Sequence, residues 1–103
     1  MLGVFKMNDY DWVCAPTERQ AKRFYIEDVG ISREDMEEDY FGEVPLTDTM
    51  LFHEEDVPEL DEKMYNFTKE FWYGEEYYRV PFWWVILQMG TNEPYLIAST
   101  EAM

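Results

Sequence analysis

The sequence predicts a small α+β domain in which an N-terminal hairpin and a C-terminal strand form an antiparallel or mixed sheet, with two main helices packed on one face. Three observations carry that expectation. Leu2 to Met7 and Asp11 to Ala15 are short runs holding Val, Phe and Trp, separated by Asn8-Asp9-Tyr10, which has the composition of a hairpin loop. Thr17, with Gln20 three residues on, reads as a capping box at the head of a helix. Leu60, Met64, Phe67 and Phe71 recur at intervals of four, three and four, which puts them on one helical face. A chain of 103 residues without a low-complexity stretch is expected to form a single domain, 1–103, around one modest core.

Taken in order, the hairpin is followed by a helix from Glu18 to Val29, with Ala21, Phe24, Tyr25 and Val29 at helical spacing. Gly30 and Ile31 suit a Schellman-type end. Ser32 caps a second, short acidic helix reaching to about Tyr40, with Glu34 and Asp35 in the first turn where the helix dipole favours negative charge. Gly42 and Pro45 break it, and periodicity leaves Thr47 to His53 open between an extended segment and a helical turn. Pro58 suits the start and Gly74 the end of the helix that carries Leu60 to Phe71. Pro81 to Met89 fits a short helix, although its Val, Ile and Trp also favour strand. Gly90-Thr91-Asn92 is a turn before a last strand, Tyr95 to Ser99.

Charge is distributed unevenly along this frame. Between Glu34 and Glu62 there are 13 acidic residues and no Lys or Arg, whereas the flanks hold ten acids against eight bases, so one segment carries most of the net charge of −15. A concentrated negative field selects basic partners and disfavours direct binding of nucleic acid or anionic membrane. Hydrophobic residues at 47% and aromatics at 18% exceed what a disordered acidic tail carries, so the charge is imposed on a folding chain. The single cysteine, Cys14, excludes an internal disulfide, fits a reducing compartment and reads as an inert buried thiol. Met1 to Met7 is too short for the apolar stretch of a signal peptide, and the longest apolar run, Val80 to Leu87, falls well short of the ~20 residues of a membrane helix. The expectation is a soluble protein of the cytoplasm.

Three segments, Met7-Asn8-Asp9-Tyr10-Asp11-Trp12-Val13, Leu51-Phe52-His53-Glu54-Glu55-Asp56 and Pro94-Tyr95-Leu96-Ile97-Ala98-Ser99-Thr100-Glu101, resemble a group of small proteins encoded by bacteriophages and prophages. That group is built on a Met-Asn-Asp-x-Asp-Trp-Val-Ala start and a Phe-Ala-Ser-Thr-Glu finish. This chain departs from it at Cys14, at Ile97, where an aromatic is usual, and in the aromatic stretch from Tyr65 to Trp84. The resemblance implies a phage origin and brings no catalytic residues with it. Small accessory phage proteins are often inhibitors of host defence, and acidic ones among them often imitate DNA.

The acidic segment is the first candidate site. Duplex DNA carries one charge per ~1.7 Å of axis, so these carboxylates match the charge of roughly 22 Å of duplex. The expected contact is a ridge formed by Glu34, Asp35, Glu37, Glu38 and Asp39 on the short helix, extended by Glu54, Glu55, Asp56, Glu59, Asp61 and Glu62 at the next helix start. The plainer reading of the same residues is a solvated surface that keeps the chain soluble. They lack the alternating Asp and Asn with a central Gly of a calcium loop, and one His and one Cys far apart do not make a zinc site, so no metal or other cofactor is expected. His53 is the only histidine and has no evident catalytic partner; with no phosphate loop, nucleophile elbow or Cys-His arrangement, an enzyme is not expected.

The stretch from Tyr65 to Trp84 holds ten aromatic rings in 20 residues, more than one small core readily takes. Phe67, Phe71, Phe82 and one of Trp83 or Trp84 are the expected core members. Trp72, Tyr73, Tyr77 and Tyr78, flanked by Glu75 and Glu76, are the expected contact patch, because aromatic side chains combine large burial with a polar handle. Together these features predict an acidic phage-type inhibitor that binds a basic, nucleic-acid-binding surface of a host defence protein or ribonucleoprotein complex, such as a CRISPR effector. The alternative is a non-enzymatic phage structural or assembly accessory that forms a homodimer or larger assembly through the aromatic segment.

Overall fold

The computed structural model describes residues 1–99, and its architecture follows from the alternation of side chains in the first two strands. β1 (Gly3–Lys6) and β2 (Asp11–Ala15) form the expected antiparallel hairpin, with Val4 opposite Cys14 and Phe5 opposite Val13. Successive strand residues point to opposite faces. Val4 and Cys14 therefore enter one hydrophobic cluster, while Phe5 and Val13 enter another on the far side of the same sheet. β3 (Gly42–Val44) pairs with β1 and β7 (Tyr95–Ser99) with β2, both antiparallel, completing a four-stranded sheet of order β3-β1-β2-β7. A register shift between Trp12 and Val13 breaks the alternation against β7, and the consecutive residues Ile97 and Ala98 are both buried in one cluster.

Helices cover one face of this sheet. α1 (Glu18–Phe24) continues into a π-helical turn (Tyr25–Val29), so the helix expected over Glu18 to Val29 is present, with Thr17 Oγ1 accepting from the Gln20 amide at 3.1 Å. Gly30 closes it at φ 89°, in the left-handed region that favours glycine. α2 (Arg33–Asp39) is capped by Ser32, whose Oγ accepts from the Asp35 amide at 3.2 Å. Ala21, Tyr25 and Met36 pack from these helices onto Phe5, Met7, Val13 and Ala15.

The opposite face is covered by a second sheet, so the α+β class is as expected but there are two sheets where one was predicted. β4 (Thr49–His53), β5 (Thr68–Trp72) and β6 (Glu75–Pro81) form an antiparallel sheet of order β4-β6-β5. Thr47 to His53 thus resolves largely to strand. Residues 82–89 resolve to a helix, α4 (Phe82–Met89), whose first two N–H groups are satisfied by the distant turn between β3 and β4: Phe82 donates to Asp48 O at 2.9 Å and Trp83 to Leu46 O at 3.1 Å. Tyr78 and Val80 of the second sheet join Phe82, Trp84 and Val85 of α4 against Val4 and Cys14.

The helix expected from Pro58 to Gly74 is overturned. α3 (Glu59–Tyr65) lasts seven residues and ends at Asn66, with φ 51°. Beyond it the chain forms the β5–β6 hairpin, turned at Tyr73 and Gly74 with φ of 50° and 82°. The spacing of Phe67 and Phe71 fitted a helix, but Thr68–Trp72 finds a strand partner in Glu75–Pro81, and β-branched and aromatic residues suit a pleated surface. Phe71, predicted for the core, is 69% exposed as a result. Phe82 and Trp84 are buried as expected, and Phe67 is half-buried, stacked on Tyr65 and edge-on to Trp84.

Candidate protein-binding surface

Strand alternation divides the predicted aromatic patch. Trp72, Tyr77 and His53 share the outer face of the second sheet, because Tyr77 lies opposite His53 on β4 and opposite Glu70 on β5. Tyr78 points the other way, is buried, and donates its hydroxyl to Glu62; it is removed from the contact surface. Tyr73, at the hairpin turn, is 71% exposed. On the outer face the Trp72 indole donates to Glu70 at 3.1 Å and the Tyr77 hydroxyl to Glu75 at 3.3 Å, so two rings are held by carboxylates of their own hairpin. Arg79 forks onto Glu70 through Nε and Nη2 and reaches Thr49 Oγ1 through Nη1 at 3.3 Å. The guanidinium, helped by the Trp72 indole, holds the Glu70 carboxyl below the usual carboxylate range. Trp72 and Arg79 also line a cleft of about 380 Å³ together with Thr49 and Leu51 of β4 and Trp12 and Ala98 of the four-stranded sheet.

His53 connects this face to the acidic segment. Its Nδ1 accepts from the Glu55 amide at 3.2 Å, which places the proton of the neutral ring on Nε2, 3.6 Å from Glu75. A 3₁₀ turn over Glu54–Asp56 follows at once. Glu54 stands over the inner side of the hairpin, between Glu76 and Lys69 (3.9 Å), where the hydrogen bond shared with Glu76 pushes Glu54 up and Glu76 down from the ordinary glutamate value. On α3, Asp61 accepts from the Trp84 indole at 3.1 Å and from Gln88 Nε2 at 3.2 Å, while Glu62 takes the Tyr78 hydroxyl. Glu55, Asp56 and Glu59 remain exposed, Glu59 with Lys63 at 3.2 Å.

The other acidic cluster lies elsewhere. Glu34, Asp35, Glu37, Glu38 and Asp39 are all exposed on α2, and Glu37 bridges to Lys22 at 3.4 Å. α2 is seated by Met36 on the Phe5 side of the four-stranded sheet, whereas Val57, between the 3₁₀ turn and α3, is buried on the Val4 side. The two clusters therefore sit over opposite faces of that sheet. Their sequence separation gave no hint of this, because it is decided by which face each anchor residue enters.

The motif residues of the two chain ends do meet. Ser99 Oγ donates to Asp11 Oδ1 at 2.7 Å, Tyr25 donates to Asp11 Oδ2 at 2.6 Å, and Asn8 Nδ2 donates to the Tyr25 hydroxyl at 2.7 Å. Asn8 Oδ1 also accepts from the amides of Tyr10 and Asp11, both at 2.8 Å, holding the hairpin loop. Burial and the Asp11 carboxylate push the Tyr25 hydroxyl up to about 12. Thr100 and Glu101 of the terminal motif lie outside the described residues. Burial likewise raises the Cys14 thiol, in keeping with an unreactive side chain.

Among the described residues no three His, Cys, Asp or Glu side chains are grouped to hold a metal ion, and no helix is long and apolar enough to cross a membrane. Fold and surface together define a small acidic α+β protein whose carboxylates are distributed over two layers. No family model, curated protein or solved structure matches the chain.

Proposed function

We propose that this chain is a phage-type acidic inhibitor that occupies a basic, nucleic-acid-binding surface of a host defence complex. The contact is made by the segment Glu54 to Glu62 together with the β5–β6 hairpin. One observation carries the choice of surface: β4 ends at His53, opposite Tyr77 and beside Glu75, and the chain passes directly into Glu54, Glu55 and Asp56. Acids and exposed rings thereby share one end of the molecule. Several of these carboxylates are already oriented by Tyr78, Trp84, Gln88 and Lys69, which lowers the entropy lost when a partner orders them.

The magnitude of the decoy is smaller than the sequence suggested. Six acids from Glu54 to Glu62, with Glu75 and Glu76, carry the charge of about 14 Å of duplex rather than 22 Å. Trp72 and Tyr73 supply the apolar anchor that such a short charge match needs. α2 serves as a separate solvated face.

Competition tests the proposal. Binding to a candidate basic complex is measured with and without saturating DNA or guide RNA, and loss of binding is expected; retention at saturation overturns the occupied-site mechanism. Replacing Glu55, Asp56 and Glu59 by Lys should abolish inhibition, while the same change at Glu34, Glu37 and Glu38 should leave it within about threefold, since α2 lies on the opposite layer. The assembly-accessory reading draws on the outer edge of β5, which pairs with no strand among the described residues and ends in exposed Phe71 and Trp72. Salt separates the two: the inhibitor loses affinity steeply with ionic strength and an apolar self-assembly does not.

A further inference from the structure

α3 is folded inside out. A surface helix ordinarily turns its apolar stripe to the core and its charges to water, yet here half-buried Asp61 and exposed Glu62 hydrogen-bond to rings of the core while Leu60 and Met64 are 69% and 60% exposed. The cause lies in the core. Trp84 and Tyr78 are buried, and their indole N–H and hydroxyl need acceptors, which the carboxylates of α3 provide. With Asp61 and Glu62 turned to these rings, helical geometry sends Leu60 and Met64, four residues apart, to the outside.

The neighbouring helix continues this apolar surface. Tyr65 of α3 meets Trp83 of α4 edge-on at 5.6 Å, and Leu87, four residues beyond Trp83, is 67% exposed. Trp83 and Leu87 line an open cleft of about 350 Å³ whose other wall includes Leu2 and Leu46. No residue of Phe82–Met89 is charged, whereas the N-terminal end of α3 is bordered by exposed Glu55, Asp56 and Glu59.

We propose that the outward faces of α3 and α4 form a docking site for a basic amphipathic segment of a partner protein. Apolar residues of that segment cover Leu60, Met64 and Leu87, and its Lys or Arg residues meet Glu55, Asp56 and Glu59. Charge complementarity selects this occupant: a second copy would bring another net charge of −15 against the same carboxylates, and nucleic acid or an anionic membrane is repelled in the same way. The proposal rests on the reading of a basic protein partner, but not on that partner's use of nucleic acid.

The test uses the full chain and a fluorescein-labelled synthetic peptide with Leu along one helical side and Lys and Arg along the other, beside a scrambled peptide of equal composition. Anisotropy titration at physiological salt should show the amphipathic peptide binding at least tenfold tighter than the scrambled one. Leu60→Ser combined with Met64→Ser, both at exposed positions and with the fold checked by circular dichroism, should remove that difference; Glu55→Gln, Asp56→Asn and Glu59→Gln together should weaken both peptides. Equal affinity for the two peptides, or a preference unchanged by the Ser variants, overturns the proposal. So does a dimer in sedimentation that the Ser variants dissociate, because the face is then filled by a second copy. Nucleic acid is absent throughout, so a negative result leaves the competition experiment to stand or fall by itself.

Discussion

At the scale of single residues, the acids of this protein divide into those that serve the fold and those that face water. Asp61 belongs to the first group, since it accepts the indole N–H of Trp84, a side chain that is 1% exposed. Removing that acceptor leaves a buried donor unpaired. Asp61→Ala is expected to cost about 1–3 kcal/mol of stability in urea denaturation, whereas Leu60→Ser, one residue earlier but outward-facing, should stay within about 0.5 kcal/mol. Equal losses in the two variants would contradict the inside-out orientation of α3. Nothing in the sequence distinguishes Asp61 from Glu59 or Asp56, because the distinguishing feature is a tryptophan 23 positions away. Asn8, Asp11 and Ser99 are likewise hairpin-loop and strand-end residues when read singly, and become one network through Tyr25.

At the scale of elements, the caps were legible and the second sheet was not. Thr17, Ser32 and Gly30 act within three to six residues of their partners, so local chemistry suffices to place α1 and α2. Residues 67–72 depend instead on Glu75–Pro81, and that strand in turn on Thr49–His53, whose pairing spans a longer separation. An accidental four-three-four spacing then reads as a helix. The ion pair in this hairpin has a predictable pH signature. Glu70 has a folded pKa below its ordinary value, owing first to Arg79 and then to Trp72, so its contribution is present above the ordinary glutamate range and is lost as pH falls through the folded value. Chemical denaturation of the protein and of Arg79→Met should show a stability difference at neutral pH that shrinks as pH drops through the acid range. A difference that grows on acidification would show that Glu70 is not the partner that matters. Glu54, raised by its hydrogen bond to Glu76, works in the opposite sense, and its contribution is lost as pH rises through its folded value.

At the scale of the whole molecule, 23 carboxylates against eight bases oppose compaction by mutual repulsion. Thermal midpoints should therefore rise between low and moderate salt, as the Debye length contracts from about 30 Å at 0.01 M to about 10 Å at 0.1 M. A flat profile in circular-dichroism melts would mean that the distribution of acids over two layers already relieves the repulsion. The same distribution governs function, because a decoy acts through the charge it presents in one direction rather than through its total. The sequence by itself determined the α+β class, the first hairpin, both capped helices and the strongly acidic character, all of which follow from local pattern or simple addition. Tertiary structure alone decided that there are two sheets, that Leu60 and Met64 face water, that Tyr78 is buried, and that the acidic clusters sit on opposite sides. Each of those depends on which face of a shared sheet a residue enters, and that is fixed by pairing and burial between segments far apart in the chain.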